Sequence, residues 1–154
     1  MSAILFVGVR LTVSGPVPGS AMAKGECSCG SVAFDVDADL SDVFVCHCSL
    51  CQRSSGGNGV HVVIVDRDAF RWVRGEEHIQ SWSNPSADWT NWFCRLCGSR
   101  LPGVNDARRL FIPAGLLTEG NDKLAVAHHI WVGSRATWDE IGDCGKQHDA
   151  EFSG

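Results

Sequence analysis

Basic patches are missing from this sequence, which has no run of lysine and arginine and no basic stripe interleaved with aromatic residues. Proteins that dock on nucleic acid carry such patches, and so do helices that lie on anionic membranes. The net charge of −5 and the pI of about 5.6 offer no counter-charge to these polyanions. We therefore expect neither nucleic acid nor a membrane among the partners.

Long apolar runs are also missing, and no segment has the length of a membrane span. The start of the chain is a poor export signal, because no basic residue precedes the apolar segment Ile4 to Val9 and Arg10 ends it early. The first patterned segment begins shortly after Met22. We expect residues 1–23 to be a disordered or non-native extension without function, and the protein to be cytoplasmic.

Tyrosine is absent although six tryptophans are present, so we expect tryptophan to supply much of the core. A long helical period is absent too. The sequence instead has short segments in which apolar and polar residues alternate or β-branched residues follow one another, separated by Gly, Asn and Asp. The predicted strands are Val32–Val36, Val43–Val45, Val60–Val65, Phe70–Val73, His78–Trp82, Trp89–Phe93, Leu110–Ile112 and Ala127–Val132.

Many short strands predict an all-β domain, a sandwich or a small barrel-like stack. The turn Arg74–Glu77 is expected to join its two flanking strands, and the β-branched segment Val60–Val65 to be buried on both faces. Short helical turns are predicted at Ser49–Ser54 and Thr137–Ile141. A chain of 154 residues can build one such core, so residues 24–154 are expected to form one domain.

Cysteines are unusually frequent for this length, and seven of the eight stand in clusters with gaps of one or two residues. A secreted disulfide scaffold is the alternative, but close spacing suits a shared metal ion better than bridges between distant segments. We therefore expect thiolate-bound zinc. The clusters are Cys27-x-Cys29, Cys46-x-Cys48-x-x-Cys51 and Cys94-x-x-Cys97, while Cys144 stands alone.

One predicted zinc site combines the two cysteine pairs. Sulfurs on a tetrahedral zinc lie roughly 3.7 Å apart, a spacing that residues two apart on a strand or three apart around a tight turn can reach. Gly30 and Gly98 directly follow the pairs, where such a turn favours positive φ. Four thiolates leave no open position, so the site is expected to be structural, with two unrelated pairs of reduced thiols as the alternative. The ligands would be Cys27, Cys29, Cys94 and Cys97.

The second predicted zinc site has three thiols, Cys46, Cys48 and Cys51, within six residues. Three thiolates donate strongly to zinc, so bound water would be a poor acid and hydrolysis is disfavoured. A soft site with an exchangeable position would instead hold an exogenous thiol as the nucleophilic thiolate. We expect this site to be catalytic. A fourth ligand from the chain would close it, and the candidates are Cys144, His47, His61, His128 and His129.

The segment after the third of these cysteines is rich in glycine. Its backbone N–H groups can receive a carboxylate, and Arg53 can pair with one in bidentate fashion. We expect Arg53, Gly56 and Gly57 to bind a substrate carboxylate, with a solvated turn and a surface arginine as the alternative.

The cysteine segments resemble a known family. Gly25 to Val32, Cys46 to Arg53 and Phe93 to Leu101, in this order and spacing, are similar to the glutathione-dependent formaldehyde-activating enzymes, a family that also contains centromere protein V. The resemblance covers about Lys24 to Asp143. It implies a β-tent fold of stacked antiparallel sheets, a structural zinc on the two cysteine pairs and a catalytic zinc on the cysteine triplet.

The family's reaction is the addition of glutathione to formaldehyde, which gives S-hydroxymethylglutathione. The resemblance therefore implies a zinc-dependent carbon–sulfur lyase or synthase whose partners are glutathione and a small aldehyde. Arg53 and the Gly56-Gly57 turn would then bind the glutathione carboxylates. Two alternatives remain: a binding module in which both zinc ions are structural, and a thiol-redox or metal-buffer protein.

Overall fold

The chain forms three β-sheets and one short helix in a computed structural model that describes residues 22–152. The helix α1 spans Ser49–Ser55. The strands are β1 Ala23–Glu26, β2 Ala33–Val36, β3 Asp42–Cys46, β4 Val60–Asp66, β5 Phe70–Arg74, β6 Ile79–Ser83, β7 Thr90–Cys94, β8 Gly103–Val104, β9 Arg109–Pro113, β10 Leu117–Glu119, β11 Ala125–Ile130 and β12 Lys146–Gln147.

The sheets confirm the all-β prediction. A four-stranded antiparallel sheet has the order β10-β1-β2-β5, and β6 and β7 form a separate antiparallel pair. The largest sheet has the order β12-β11-β3-β4-β9-β8. This sheet is mixed. The strand β11 runs parallel to both β3 and β12, while the other neighbouring strands of the sheet pair antiparallel.

The main core is aliphatic and lies between the two larger sheets, where Phe34 and Val36 of β2 cluster with Val63, Val65 and Ile112 of β4 and β9. The expectation that tryptophan would supply much of the core is wrong for several of them. The side chains of Trp82 and Trp138 are 55% and 68% exposed. Facing sheets interdigitate medium-sized side chains, so the bulky indole rings lie at the margin of that layer.

The predicted turn Arg74–Glu77 does join two strands, β5 and β6. These strands do not pair with each other, because β5 pairs with β2 and β6 with β7. Gly75, with φ 78°, and the 3-10 turn Glu76–His78 carry the chain from one sheet to the other. Where a helical turn is predicted at Thr137–Ile141, the structure has a single hydrogen-bonded turn, in which the Asp139 N–H donates to the Ala136 carbonyl at 3.1 Å, and no helix; a 3-10 turn lies before it at Val132–Ser134. The helix predicted at Ser49–Ser54 is confirmed.

The strand β4 separates two environments, which corrects the expectation that it is buried uniformly on both faces. Val63 and Val65 face the main core, whereas Val62 and Ile64 line a cavity on the opposite face of the sheet. This cavity adjoins the cysteine triplet.

Most of the predicted N-terminal extension, residues 1–21, lies outside the described part of the chain. Ala23, assigned to the extension by prediction, is the first residue of β1 and is buried in the main core. No helix within residues 22–152 is long and apolar enough to cross a membrane.

Candidate metal centres and the adjoining cavity

The two cysteine pairs meet because each lies in a tight turn at the end of a strand. The Gly30 N–H donates to the Cys27 carbonyl at 2.8 Å, and the Gly98 N–H donates to the Cys94 carbonyl at 2.8 Å. Both glycines have positive φ, 73° and 76°, as predicted. The turns bring together segments from two different sheets, with Cys29 and Cys94 separated by 65 positions in sequence.

The geometry of this four-cysteine cluster fits a tetrahedral metal. All four sulfurs lie within 4.8 Å of one another. The Cys27 and Cys29 sulfurs are 3.5 Å apart, and the Cys29 and Cys94 sulfurs are 4.0 Å apart. These distances bracket the roughly 3.7 Å expected for zinc thiolates. A four-thiolate donor set is also one that zinc prefers.

The thiols of Cys27, Cys29 and Cys97 differ in acidity because their surroundings differ. Burial raises the pKa of Cys27 to about 11. Hydrogen bonds from Ser31 lower the pKa of Cys29, and hydrogen bonds from Ser99 lower the pKa of Cys97 to about 6. The Cys97 sulfur is therefore suited to bind a cation at neutral pH, while Cys27 needs a cation to displace its proton.

The cysteine triplet lies at the junction of β3 and α1. Cys46 is the last residue of β3, Cys48 is the N-cap of α1, and Cys51 is in the first turn of the helix. Their sulfurs all lie within 4.8 Å of one another. The Cys48 sulfur accepts the Cys51 N–H at 3.4 Å, so the bond that starts the helix also fixes a ligand atom.

Proton sharing within the triplet is uneven. Hydrogen bonds from Cys46 and Cys51 lower the pKa of Cys48 to about 2, and the neighbouring Cys48 thiolate raises the pKa of Cys46 well above its usual range. A cation bound here would replace the protons that the three sulfurs otherwise share. The donor set is soft and suited to zinc.

No fourth His, Cys, Asp or Glu ligand atom joins this triplet among residues 22–152. Cys144 and His61 are exposed, and His128 Nδ1 lies 3.1 Å from His148 Nε2. The remaining two candidates, His47 and His129, contact each other, and neither groups with the three sulfurs as a possible metal ligand.

These two buried histidines belong to a chain of polar groups that runs from the buried Asp139 to the exposed Asp143. His47 Nε2 lies 2.9 Å from His129 Nδ1, and His129 Nε2 lies 2.8 Å from Asp143 Oδ1. On the other side, His47 Nδ1 lies 3.1 Å from an Asp139 carboxylate that also accepts the Asn58 amide. Burial lowers the pKa of His47, and the charge of Asp139 opposes that shift. The sequence held a signal for this arrangement, since side chains alternate along an extended chain and His47 stands between two ligand cysteines.

A cavity of about 900 Å³ opens beside the triplet. Cys46 and Cys51 are part of its lining, together with the aromatic rings of Trp89, Trp92 and Phe111. The predicted carboxylate-binding residues Arg53, Gly56 and Gly57 are not part of this lining. They lie at the end of α1 and just beyond it, and Arg53 and Gly56 are exposed.

Arg100 is the residue of this site that sequence reasoning missed. Its guanidinium lines the cavity, and its Nη1 donates to the Ser54 hydroxyl. The guanidinium carbon lies 5.4 Å from the ring centre of Trp89 and 5.5 Å from that of Phe111. The only signal in the sequence was a charged residue between the Cys97 turn and the buried Leu101, which gives no indication of the cavity.

The fold and the site together define an all-β protein with two thiolate clusters suited to metal binding, one of four sulfurs and one of three. A family model described as glutathione-dependent formaldehyde-activating enzyme matches residues 22–134. The chain belongs to this family, which confirms the resemblance drawn from the cysteine segments. All seven clustered cysteines lie within the matched residues.

One solved structure is similar in part. The crystal structure of a Rhodobacter sphaeroides protein is 25% identical over a match that covers 62% of this chain and 87% of that chain, with a TM-score of 0.49.

Proposed function

We propose that this protein is a zinc-dependent carbon–sulfur lyase or synthase that acts on glutathione–aldehyde adducts, in the simplest case interconverting glutathione and formaldehyde with S-hydroxymethylglutathione. The observation that carries the proposal is that Cys46 and Cys51, two members of a three-sulfur cluster, line a cavity large enough for a substrate. Family membership supports glutathione and formaldehyde as the reactants.

The two clusters would have different roles. The pairs Cys27, Cys29 and Cys94, Cys97 would hold a structural zinc, because four thiolates complete a tetrahedral shell. The triplet Cys46, Cys48 and Cys51 would hold the catalytic zinc. Zinc at the triplet would supply a soft Lewis acid that favours the thiolate form of an added thiol.

The chain's own residues supply the environment of the reaction. Trp89, Trp92 and Phe111 give part of the cavity an apolar wall that does not hydrogen-bond water, the molecule that competes with the thiol for the aldehyde. Holding the two reactants in one cavity replaces a bimolecular encounter by a local one. Arg53, Gly56 and Gly57 are proposed to contact the carboxylates of glutathione where the tripeptide leaves the cavity.

A cytoplasmic setting is part of the proposal. All seven clustered cysteines and Cys144 are unpaired in the structure, and the reducing cytoplasm keeps thiols in that form.

Exchange NMR between free formaldehyde and its glutathione adduct tests the proposal. Zinc-loaded protein should accelerate the exchange over the uncatalysed rate, and Cys51→Ala should abolish the acceleration. An exchange rate no faster with wild-type protein than without it would refute the enzymatic function.

X-ray absorption at zinc separates the main alternative. Because the measurement averages over both ions, a mean of about 3.5 sulfurs per zinc that rises to about four with glutathione would support an open catalytic site at the triplet. A mean of about four without glutathione, lowered to about 3.5 by Cys144→Ser, would instead identify a binding module with two structural ions.

A further inference from the structure

A cation without a carboxylate partner lies beside the cysteine triplet. Arg100 lines the same cavity as Cys46 and Cys51, and the charges of the three cysteine sulfurs oppose the lowering of its pKa by burial. In the described part of the chain, no carboxylate lies within ion-pair distance of Arg100. Arg109, which also lines the cavity, is by contrast 55% exposed and already paired with Asp106 at 2.7 Å.

The Arg100 guanidinium is fixed in place but not fully satisfied. Contacts to the Trp89 and Phe111 rings and to the Ser54 hydroxyl restrict its movement. Its Nε is nevertheless buried and has no hydrogen-bond partner in the protein. A buried donor of this kind is costly unless some group binds to it, and in native proteins it often marks a functional position.

The proposed reaction creates such a group close to sulfur. The thiolate donates an electron pair to the carbonyl carbon, a carbon–sulfur bond forms, and the π pair of the C=O bond moves to oxygen. That oxygen carries the negative charge until it takes a proton from water, and the proton released when the thiol ionised balances the hydroxide that remains. The charged oxygen is two bonds from the sulfur, and so lies near the three ligand sulfurs of the chain.

We propose that Arg100 is a catalytic residue that donates a guanidinium N–H to the aldehyde oxygen as negative charge develops on it. This inference rests on the proposed function. A donor that is already held in position stabilises the transition state more than the neutral aldehyde, because its hydrogen bond strengthens as the charge on oxygen grows. The carboxylates of glutathione are farther from the sulfur than this oxygen is, so the position of Arg100 beside the triplet favours the oxygen as its partner.

The test compares zinc-loaded Arg100→Met and Arg100→Lys with wild type, with Arg108→Met as the matched control because Arg108 is exposed and outside the cavity lining. Exchange with formaldehyde is measured at saturating glutathione and at saturating 2-mercaptoethanol, which has no carboxylate. Zinc content and the glutathione Kd, by calorimetry, are measured for each variant. Arg100→Met should lower kcat by roughly 10- to 100-fold with both thiols, with little change in zinc content or Kd.

The two thiols and the second variant make every outcome decisive. A loss confined to glutathione and expressed as a weaker Kd would make Arg100 a carboxylate anchor and overturn the inference, as would an unchanged kcat. Should Arg100→Met lose zinc, Arg100→Lys decides, because it keeps the charge but not the planar fork of donors: a lower kcat at normal zinc content and Kd supports the inference, and full kcat overturns it. No acceleration by wild type would instead refute the proposed function itself.

Discussion

Cys48 has two structural roles in the cysteine triplet. Its sulfur accepts the N–H that starts α1 and also belongs to the triplet. Cys51 is one turn further along and faces the same point, because the short helix brings the first-turn side chain back toward its N-cap. The spacing between these two cysteines is therefore determined by the helix start as much as by the metal.

Cys144 should be dispensable for metal binding. It is exposed and does not join the triplet in the structure, so Cys144→Ser should leave the zinc content and the glutathione affinity unchanged. Cys51→Ser should release one zinc per chain and abolish glutathione binding, since it removes a third of the donor set. Zinc content by mass spectrometry with calorimetry measures both. Loss of zinc in Cys144→Ser would mean that the chain closes its own site.

Asp139 should stabilise the protein without binding metal. Its carboxylate accepts the Asn58 amide and lies against His47, whose side chain is only 1% exposed, so Asp139→Ala leaves buried polar groups without partners. The expected loss is about 1–3 kcal/mol of unfolding free energy. Urea denaturation measures it, with Asp149→Ala as an exposed control. Equal stability of the two variants would show that water replaces the carboxylate.

At the scale of secondary-structure elements, the close approach of the strands β3 and β4 positions the cysteine triplet. The strands β3 and β4 pair antiparallel with Cys46 opposite Val60, and Gly59 enters β4 directly beneath the Cys46 carbonyl. This contact is so close that only glycine fits it. The same strand β4 separates the core from the cavity, so its position sets both the ligand geometry and the cavity wall.

Gly59→Ala should therefore disturb the second metal site. An added Cβ would lie 2.4 Å from the Cys46 carbonyl oxygen, a backbone atom that cannot move without shifting the cysteine. We expect weaker zinc binding at the triplet and normal binding at the four-cysteine cluster. Competition with a chromophoric chelator resolves the two sites. Gly115→Ala, whose added Cβ has no neighbour within 4 Å, is the control and should behave as wild type.

At the scale of the whole molecule, the four-cysteine cluster brings together segments of two separate sheets. Cys27 follows β1 in the four-stranded sheet, whereas Cys94 ends β7 in the two-stranded sheet. Closing a loop of this length costs about 4–5 kcal/mol of chain entropy. Structural zinc supplies roughly 10–16 kcal/mol in zinc-finger peptides, so a zinc ion bound at this cluster would more than offset the closure.

Cys94→Ala should thus unfold or aggregate the protein, because it breaks this link at a fully buried position. Cys51→Ala should retain a cooperative unfolding transition, since the triplet draws its ligands from one short segment. Circular dichroism during thermal unfolding compares them. A normally stable Cys94→Ala alongside an unfolded Cys51→Ala would reverse the roles assigned to the two clusters.

The sequence by itself determined what depends on local spacing. The strand alternation, the helix that begins after Cys48 and the turns at Gly30 and Gly98 follow from backbone preferences over a few residues. The cysteine gaps are local as well, so both clusters and the family could be predicted.

Only the tertiary structure decided which distant segments meet. It separated β5 from β6, turned His47 and His129 away from the triplet toward each other, and brought Arg100 to the cavity between rings from two other strands or loops. Sheet order and side-chain packing depend on the burial of the whole chain, and a short stretch of sequence does not encode them. The two cysteine clusters were therefore predictable, but the shape and charge of the cavity beside the triplet were not.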